Sequence, residues 1–135
     1  MKRIFYLFLF LFIGTNFAYS QTHKVVFQLT TNDTKVWGGT IKNINHVIEA
    51  LPDTQVELVC HSGGINFILK KNTEDAKNIQ ALQAKGVKIV GCQNTLNGLN
   101  LTKDDLQPNI EVVPSGVAEV VLKQEAGWSY LRQTP

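Results

Sequence analysis

The sequence has 135 residues, a length that fits one domain and leaves no room for two full hydrophobic cores. Apolar residues make up 44% and charged residues 18%, which excludes a disordered acidic chain. The net charge of +2 includes Lys2 and Arg3, and the rest of the chain carries 11 basic and 11 acidic residues. That balance gives no electrostatic reason to expect a nucleic acid or an anionic membrane as a partner.

The first 20 residues have the pattern of an export signal. Met1, Lys2 and Arg3 form a basic start, and residues 4–13 are apolar apart from the hydroxyl of Tyr6. That run is too short for a membrane span, which needs about 20 residues. Residues 18–20 (AYS) form a small-x-small site and predict cleavage before Gln21. We expect residues 21–135 to be one periplasmic or otherwise exported domain without a membrane span. An uncleaved N-terminal anchor is the alternative.

Strand and helix patterns alternate through the rest of the chain. Residues 24–30 (KVVFQLT) are β-branched and apolar, as in a buried strand, and Ile41, Ile44 and Ile48 recur at helical spacing. The full set of predicted elements comprises strands over 24–30, 55–60, 87–91 and 110–113, and helices over 37–51, near 65–69, from Thr73 to Gly86, after Thr102 and from Ser115 to Gly127.

End signals define several of these helices. Thr73 and Ser115 are predicted N-caps, and Thr102 with Asp105 forms a capping box. Gly86 follows Lys85 as a left-handed C-cap. The β-α alternation predicts a mostly parallel sheet covered by helices on both faces, a three-layer α/β/α domain. For its strand order we assume the flavodoxin-like order 2-1-3-4.

Ligand sites in such sheets lie beyond the carboxyl ends of the strands. The residues expected there are polar groups, small turn residues and one cysteine: Asn32, His61, Gly63, Gly64, Cys92, Asn94, Thr95 and Ser115. Ser62-Gly63-Gly64 is interpreted as a tight turn, with binding of an anion by its N–H groups as the alternative.

Several classes of site lack their motifs. No GxGxxG, GxxxxGK[ST] or GxSxG is present, so we expect no nucleotide cofactor and no serine hydrolase chemistry. Of the three histidines, only His61 ends a strand, while His46 is predicted on a solvated helix face. No second ligand is placed to join His61, and we expect no metal.

The two cysteines differ in position. Cys60 ends an apolar strand, where a buried structural thiol is common. Cys92 ends the third strand before a polar stretch, so we expect it to be partly exposed, with N–H groups that favour a thiolate. Position alone leaves function and structure open for Cys92. In the order 2-1-3-4, the first strand separates the two cysteines by about 10 Å, which predicts free thiols.

The sequence resembles the DsrE/DsrF-like family. The resemblance rests on GCQNTL at 91–96, on VVPSGVAEVVLKQEAGW at 112–128 with Tyr130, and on His61-Ser62-Gly63-Gly64 after a VELV strand. It runs from about Lys24 to Arg132. It implies an α/β/α domain that assembles into trimers or hexamers, and sulfur carriage as a persulfide on Cys92, with a sulfur-donor or acceptor protein as partner.

The leading hypothesis is therefore an exported persulfide carrier that uses Cys92, with His61 at the same sheet edge but kept distant by the first strand. The alternatives are a non-catalytic module that binds a small ligand at the strand ends and a purely structural or interaction subunit. Trp37, Trp128 and Tyr130 are interpreted as packing or subunit-contact residues.

Overall fold

The computed structural model describes residues 22–133. The predicted export signal over residues 1–20 lies outside them. The strands are β1 (Lys24–Leu29), β2 (Gln55–Cys60), β3 (Lys88–Cys92), β4 (Glu111–Val113) and β5 (Ser129–Arg132). The α-helices are α1 (Thr34–Ala50), α2 (Ala76–Ala84), α3 (Gln93–Gly98) and α4 (Gly116–Glu125), and 3₁₀ helices cover Ser62–Ile68 and Lys103–Asp105.

The five strands form one parallel sheet in the order β4-β3-β2-β1-β5. The predicted parallel α/β architecture is confirmed, but the strand order 2-1-3-4 is wrong. The free side of β1 is taken by β5, whose four residues are all exposed and were not predicted as a strand. β2 therefore pairs directly with β3, with Cys60 opposite Gly91.

Side chains alternate between the two faces of the sheet. Phe27, Leu58 and Ile89 face the larger core, which also contains side chains of α1, α2 and the first 3₁₀ helix. Val59 and Val90 face a smaller core under α4. Helices thus cover both faces, and none of them in the described residues is long and apolar enough to cross a membrane.

Most predicted helix ends agree with the structure. Ser115 caps α4, the Thr102–Asp105 capping box is present, and Gly86 has the positive φ of a left-handed cap. The predicted N-cap at Thr73 is wrong, because α2 begins only at Ala76. Asp75 is the residue before α2, and its carboxylate accepts hydrogen bonds from the Asn72 and Asn78 side chains. These bonds stabilise a turn that is separate from the helix.

A buried ion pair links α4 to the sheet. The Glu57 side chain on β2 is 0% exposed, and its Oε2 lies 2.7 Å from the Lys123 Nζ of α4. Lys88 on β3 lies farther from the same oxygen, at 3.7 Å. Lys123 also contacts Glu119 one helical turn earlier. Burial raises the pKa of Glu57, and the hydrogen bond from Lys123 acts in the opposite direction.

Candidate functional site

Cys92 lies where β3 passes directly into α3. It is the last residue of the strand and the N-cap residue of the helix, and only 5% of it is exposed. The prediction of a partly exposed cysteine is therefore wrong. The polar stretch after it is a helix instead of an open loop, and the start of α4 packs nearby.

Hydrogen-bond donors surround the Cys92 sulfur. Burial by itself raises the pKa of the thiol. Hydrogen bonds from the Thr95 hydroxyl and from the backbone N–H groups of Gly116, Thr95 and Asn94 outweigh burial, so the pKa lies below its ordinary value. The sulfur does not make a regular N-capping bond to α3. The N–H groups that lower its pKa belong to the first residues of α3 and α4.

His61 lies beside Cys92, not away from it. Strand β2 is the direct neighbour of β3, and Cys60 pairs with Gly91. His61 is the next residue after Cys60 and has an extended backbone, so it lies next to Cys92, with both side chains on the same face of the sheet. The expectation that β1 separates them is wrong, because the strand order differs from the predicted one.

Both ring nitrogens of His61 have partners. Nε2 lies 2.7 Å from the Gln28 Nε2, and Nδ1 lies 3.1 Å from the Ser62 Oγ. The Tyr130 hydroxyl donates to the Gln28 Oε1 and extends this chain to β5. Burial lowers the pKa of His61, so the ring is neutral at pH 7. Both ring nitrogens are engaged and the ring is neutral, so His61 does not supply the positive charge of an imidazolium ion. The N–H groups at the starts of α3 and α4 favour the Cys92 thiolate instead.

Gly116 brings the start of α4 against this pair. A Cβ at this position would lie 3.0 Å from the His61 Cβ and 3.1 Å from its Cδ2. The absence of a side chain therefore lets the helix approach His61 while its first N–H group points to Cys92. Gly116, Gln28 and Tyr130 were missing from the predicted site. The signal for Gln28 was a polar residue in an otherwise apolar strand.

The other predicted site residues lie around this centre. A Cβ at Gly64 would lie 2.1 Å from the Leu29 carbonyl oxygen, and one at Gly63 would lie 2.9 Å from the Asn32 backbone nitrogen. These glycines thus pack the turn tightly against the end of β1, which favours the interpretation as a structural turn. The Asn32 side chain is exposed, and the Ser115 hydroxyl accepts the Ala118 N–H as the cap of α4.

Cys60 has a different environment. It is 0% exposed within the larger core, and burial raises the pKa of its thiol far above the ordinary value. Cys60 and Cys92 are both free thiols, as predicted. The reason differs from the predicted one: their strands are adjacent, but Cys60 faces the larger core and Cys92 the α4 side.

The described residues also form a cavity away from Cys92. A cavity of about 510 Å³ lies at the opposite edge of the sheet, lined by Glu57, Lys88 and Trp128 among others. Residues 22–133 contain no group of three or more histidine, cysteine or acidic side chains placed to hold a metal ion.

Comparison with known proteins assigns this arrangement to a family. The sequence profile of the DsrE/DsrF-like family matches residues 10–132. The chain belongs to the DsrE/DsrF-like family. The resemblance recognised from GCQNTL and the C-terminal motif is therefore confirmed.

Solved structures share the fold of this DsrE/DsrF-like chain. MTH1491 from Methanobacterium thermoautotrophicum, a protein of unknown function, is 31% identical with a TM-score of 0.79, covering 82% of this chain and 98% of MTH1491. The YchN protein from E. coli has a TM-score of 0.69 at 12% identity, covering 83% of this chain and 99% of its own. No curated protein matches the sequence.

Proposed function

We propose that this protein carries sulfur as a persulfide on Cys92. The observation that carries the proposal is the position of Cys92 at the junction of β3 and α3, where hydrogen bonds from the Thr95 side chain and nearby N–H groups lower the pKa of its thiol despite burial. A thiolate is the form that attacks sulfur–sulfur bonds, and these donors stabilise it. The association of the DsrE/DsrF-like family with sulfur relay supports the same chemistry.

The proposed reaction needs no metal and no external oxidant. The Cys92 thiolate attacks one sulfur atom of a polysulfide dianion, a sulfur–sulfur bond breaks, and the shortened polysulfide leaves as a dianion. The product is the Cys92 persulfide anion. An acceptor thiolate then attacks the outer sulfur, takes it as its own persulfide and releases Cys92 as a thiolate.

Cys60 provides a matched internal control. It is a thiol of the same chain, but it is fully buried and its pKa is raised, whereas that of Cys92 is lowered. Polysulfide is therefore expected to react with Cys92 and to leave Cys60 unmodified in the folded protein.

Intact-mass spectrometry after exposure to polysulfide tests the proposal. The wild type and Cys60→Ala should each gain about 32 Da, the mass of one sulfur atom, and Cys92→Ala should gain none. Equal labelling of both cysteines would reduce Cys92 to an ordinary thiol. No labelling of either would favour the module that binds a small ligand without catalysis.

We also propose that the carrier assembles with itself, as a trimer or hexamer. Apolar side chains on α4 and β5 support this: Val117 is 58% exposed, Leu122 57%, Val121 48% and Leu131 40%. Val117 and Val121 lie one helical turn apart on α4, and apolar surface left exposed in this way is typical of a contact with another protein. Light scattering should give a mass several times that of the chain, and Val121→Lys should lower it; a monomer at micromolar concentration would contradict assembly.

Export is the third part of the proposal. The basic start, the apolar run over residues 4–13 and the small-x-small site support it. The N-terminal sequence of the protein recovered from outside the cytoplasm should begin at Gln21. Recovery of a chain that begins at Met1 would contradict cleavage.

A further inference from the structure

The cavity of about 510 Å³ lies at the edge of the sheet where the strands begin. The turns before β2 and β3 and the end of α4 line it. Gln55 and Lys88, which belong to its wall, are the first residues of β2 and β3, whereas Cys92 is the last residue of β3. Small-molecule sites have volumes of about 300–1,000 Å³, so the cavity is large enough for a ligand of its own.

Charged groups of both signs line this cavity. The ammonium groups are those of Lys85, Lys88 and Lys123, and the carboxylates are those of Asp53 and Glu57. A ligand with charge of a single sign would be attracted by one part of this wall and repelled by the other. The lining therefore favours a small molecule that carries both a positive and a negative group.

Glu57 is the innermost of these charges, because its side chain is 0% exposed. Its Oε2 lies 2.7 Å from the Lys123 Nζ and 3.7 Å from the Lys88 Nζ. Its other oxygen, Oε1, has no hydrogen-bond partner in the part of the chain that the structure describes. A buried oxygen without a donor costs free energy, and a donor that arrives with a ligand removes this cost.

Lys85 offers a positive charge at the exposed side of the cavity. Its ammonium group donates a hydrogen bond of 2.6 Å to the Asn45 side-chain oxygen, which is neutral. Lys88 and Lys123 are paired with glutamates, but Lys85 forms no ion pair within residues 22–133. The charge of Lys85 is therefore available to the acidic group of a ligand.

We propose that this cavity binds a free amino acid, whose ammonium group donates to the Glu57 Oε1 and whose carboxylate contacts Lys85. The ammonium group brings the donor that Oε1 lacks, and the carboxylate brings the negative charge that Lys85 lacks. Trp128, which is half-buried in the cavity wall, offers apolar surface to the side chain of the amino acid. The site is separate from Cys92 and does not depend on the proposed sulfur transfer.

Equilibrium dialysis against a mixture of the standard amino acids, each at about 1 mM, tests the inference. Mass spectrometry of the protein compartment should show saturable retention of at least one of them. Glu57→Gln should weaken that binding about 10- to 100-fold, because it removes a hydrogen bond to a charged group. Lys85→Gln should weaken it about 2- to 5-fold, as for an exposed ion pair. Lys42→Gln is the matched control, because it removes the same charge from an exposed position on α1 outside the cavity.

Analogues of the retained amino acid test the two contacts separately. The analogue without the amino group and the analogue without the carboxylate should each bind more weakly than the amino acid. The N-trimethylated analogue keeps both charges but has no N–H donor, so it should bind about 10-fold more weakly or worse. Equal binding of the trimethylated analogue would overturn the contact with Glu57.

Trp128 provides a direct signal from the cavity. The Lys123 Nζ lies 4.4 Å from the centre of its ring, and binding should change its fluorescence. Trp128→Phe, which leaves Trp37 as the only tryptophan, should remove that change. If Glu57→Gln folds poorly, Lys85→Gln and the analogues still decide the outcome.

Two results would overturn the inference. One is that no amino acid is retained, and the other is that Glu57→Gln and Lys85→Gln bind as tightly as the wild type. Polysulfide labelling of Cys92 does not use the cavity, so either proposal can fail while the other stands.

Discussion

Replacing Lys123 by methionine isolates the buried charge that holds α4 on the sheet. With an effective dielectric constant of about 20, a separation of 2.7 Å corresponds to a Coulomb attraction of about 6 kcal/mol. Desolvation of Glu57 already opposes most of that attraction in the wild type. Removal of one partner of a buried pair costs about 3–5 kcal/mol, and Lys88 remains 3.7 Å away, so we expect a loss of about 3 kcal/mol at pH 7.

The loss should depend on pH with a definite sign. Burial raises the pKa of Glu57 above its value of 4.5 in the unfolded chain, so the folded state holds the proton more tightly. That contribution to stability is fully present below pH 4.5 and disappears as the pH rises through the folded pKa. Lys123→Met raises the folded pKa further. Its cost should therefore be large at pH 7 and fall below about 1 kcal/mol near pH 4.

Urea unfolding of both proteins at the two pH values measures these differences. A loss of about 3 kcal/mol should lower the midpoint at pH 7 by about 1–3 M, given the usual dependence of stability on urea. Glu57→Gln is the matched background, because Lys123→Met should cost little once the carboxylate is absent. A cost that is equal at both pH values, or that persists beside Glu57→Gln, would refute the reasoning.

Two further substitutions test the packing of the fold. Gly64→Ala should prevent accumulation of folded protein, because its Cβ would lie 2.1 Å from the Leu29 carbonyl oxygen. Gly98→Ala is the control, because a Cβ at that position meets open space, and this variant should fold normally. Expression yield and circular dichroism measure both variants. Phe67→Ala, at a fully buried site, should cost about 3–5 kcal/mol in urea unfolding, and Val117→Ala, at a 58% exposed site, should stay within about 0.5 kcal/mol.

The fold class was predictable because local patterns determine it. β-branched runs and capping residues such as Ser115 are read within a few neighbours of the chain. The strand order was not, because it depends on β5. The four residues of β5 are exposed and pair only with β1, so they form no hydrophobic pattern that would indicate a strand. The error in strand order then carried over to the expected distance between His61 and Cys92.

The candidate site was predictable in its residues but not in its contacts. Cys92, Thr95 and His61 could be chosen because strand ends meet at one edge of a parallel sheet. The burial of Cys92 could not, since it depends on how closely α4 approaches. That approach is set by Gly116 against His61, a contact between residues far apart in sequence.

The opposite orientations of Cys60 and Cys92 mean that the chain has no resolving cysteine. The sequence contains only these two cysteines, and a sheet separates their side chains. A persulfide on Cys92 therefore cannot be discharged within the chain by forming a disulfide and expelling sulfide. Under the proposed function, sulfur on Cys92 would leave only by transfer to another molecule, and the chain would retain no oxidised form of its own.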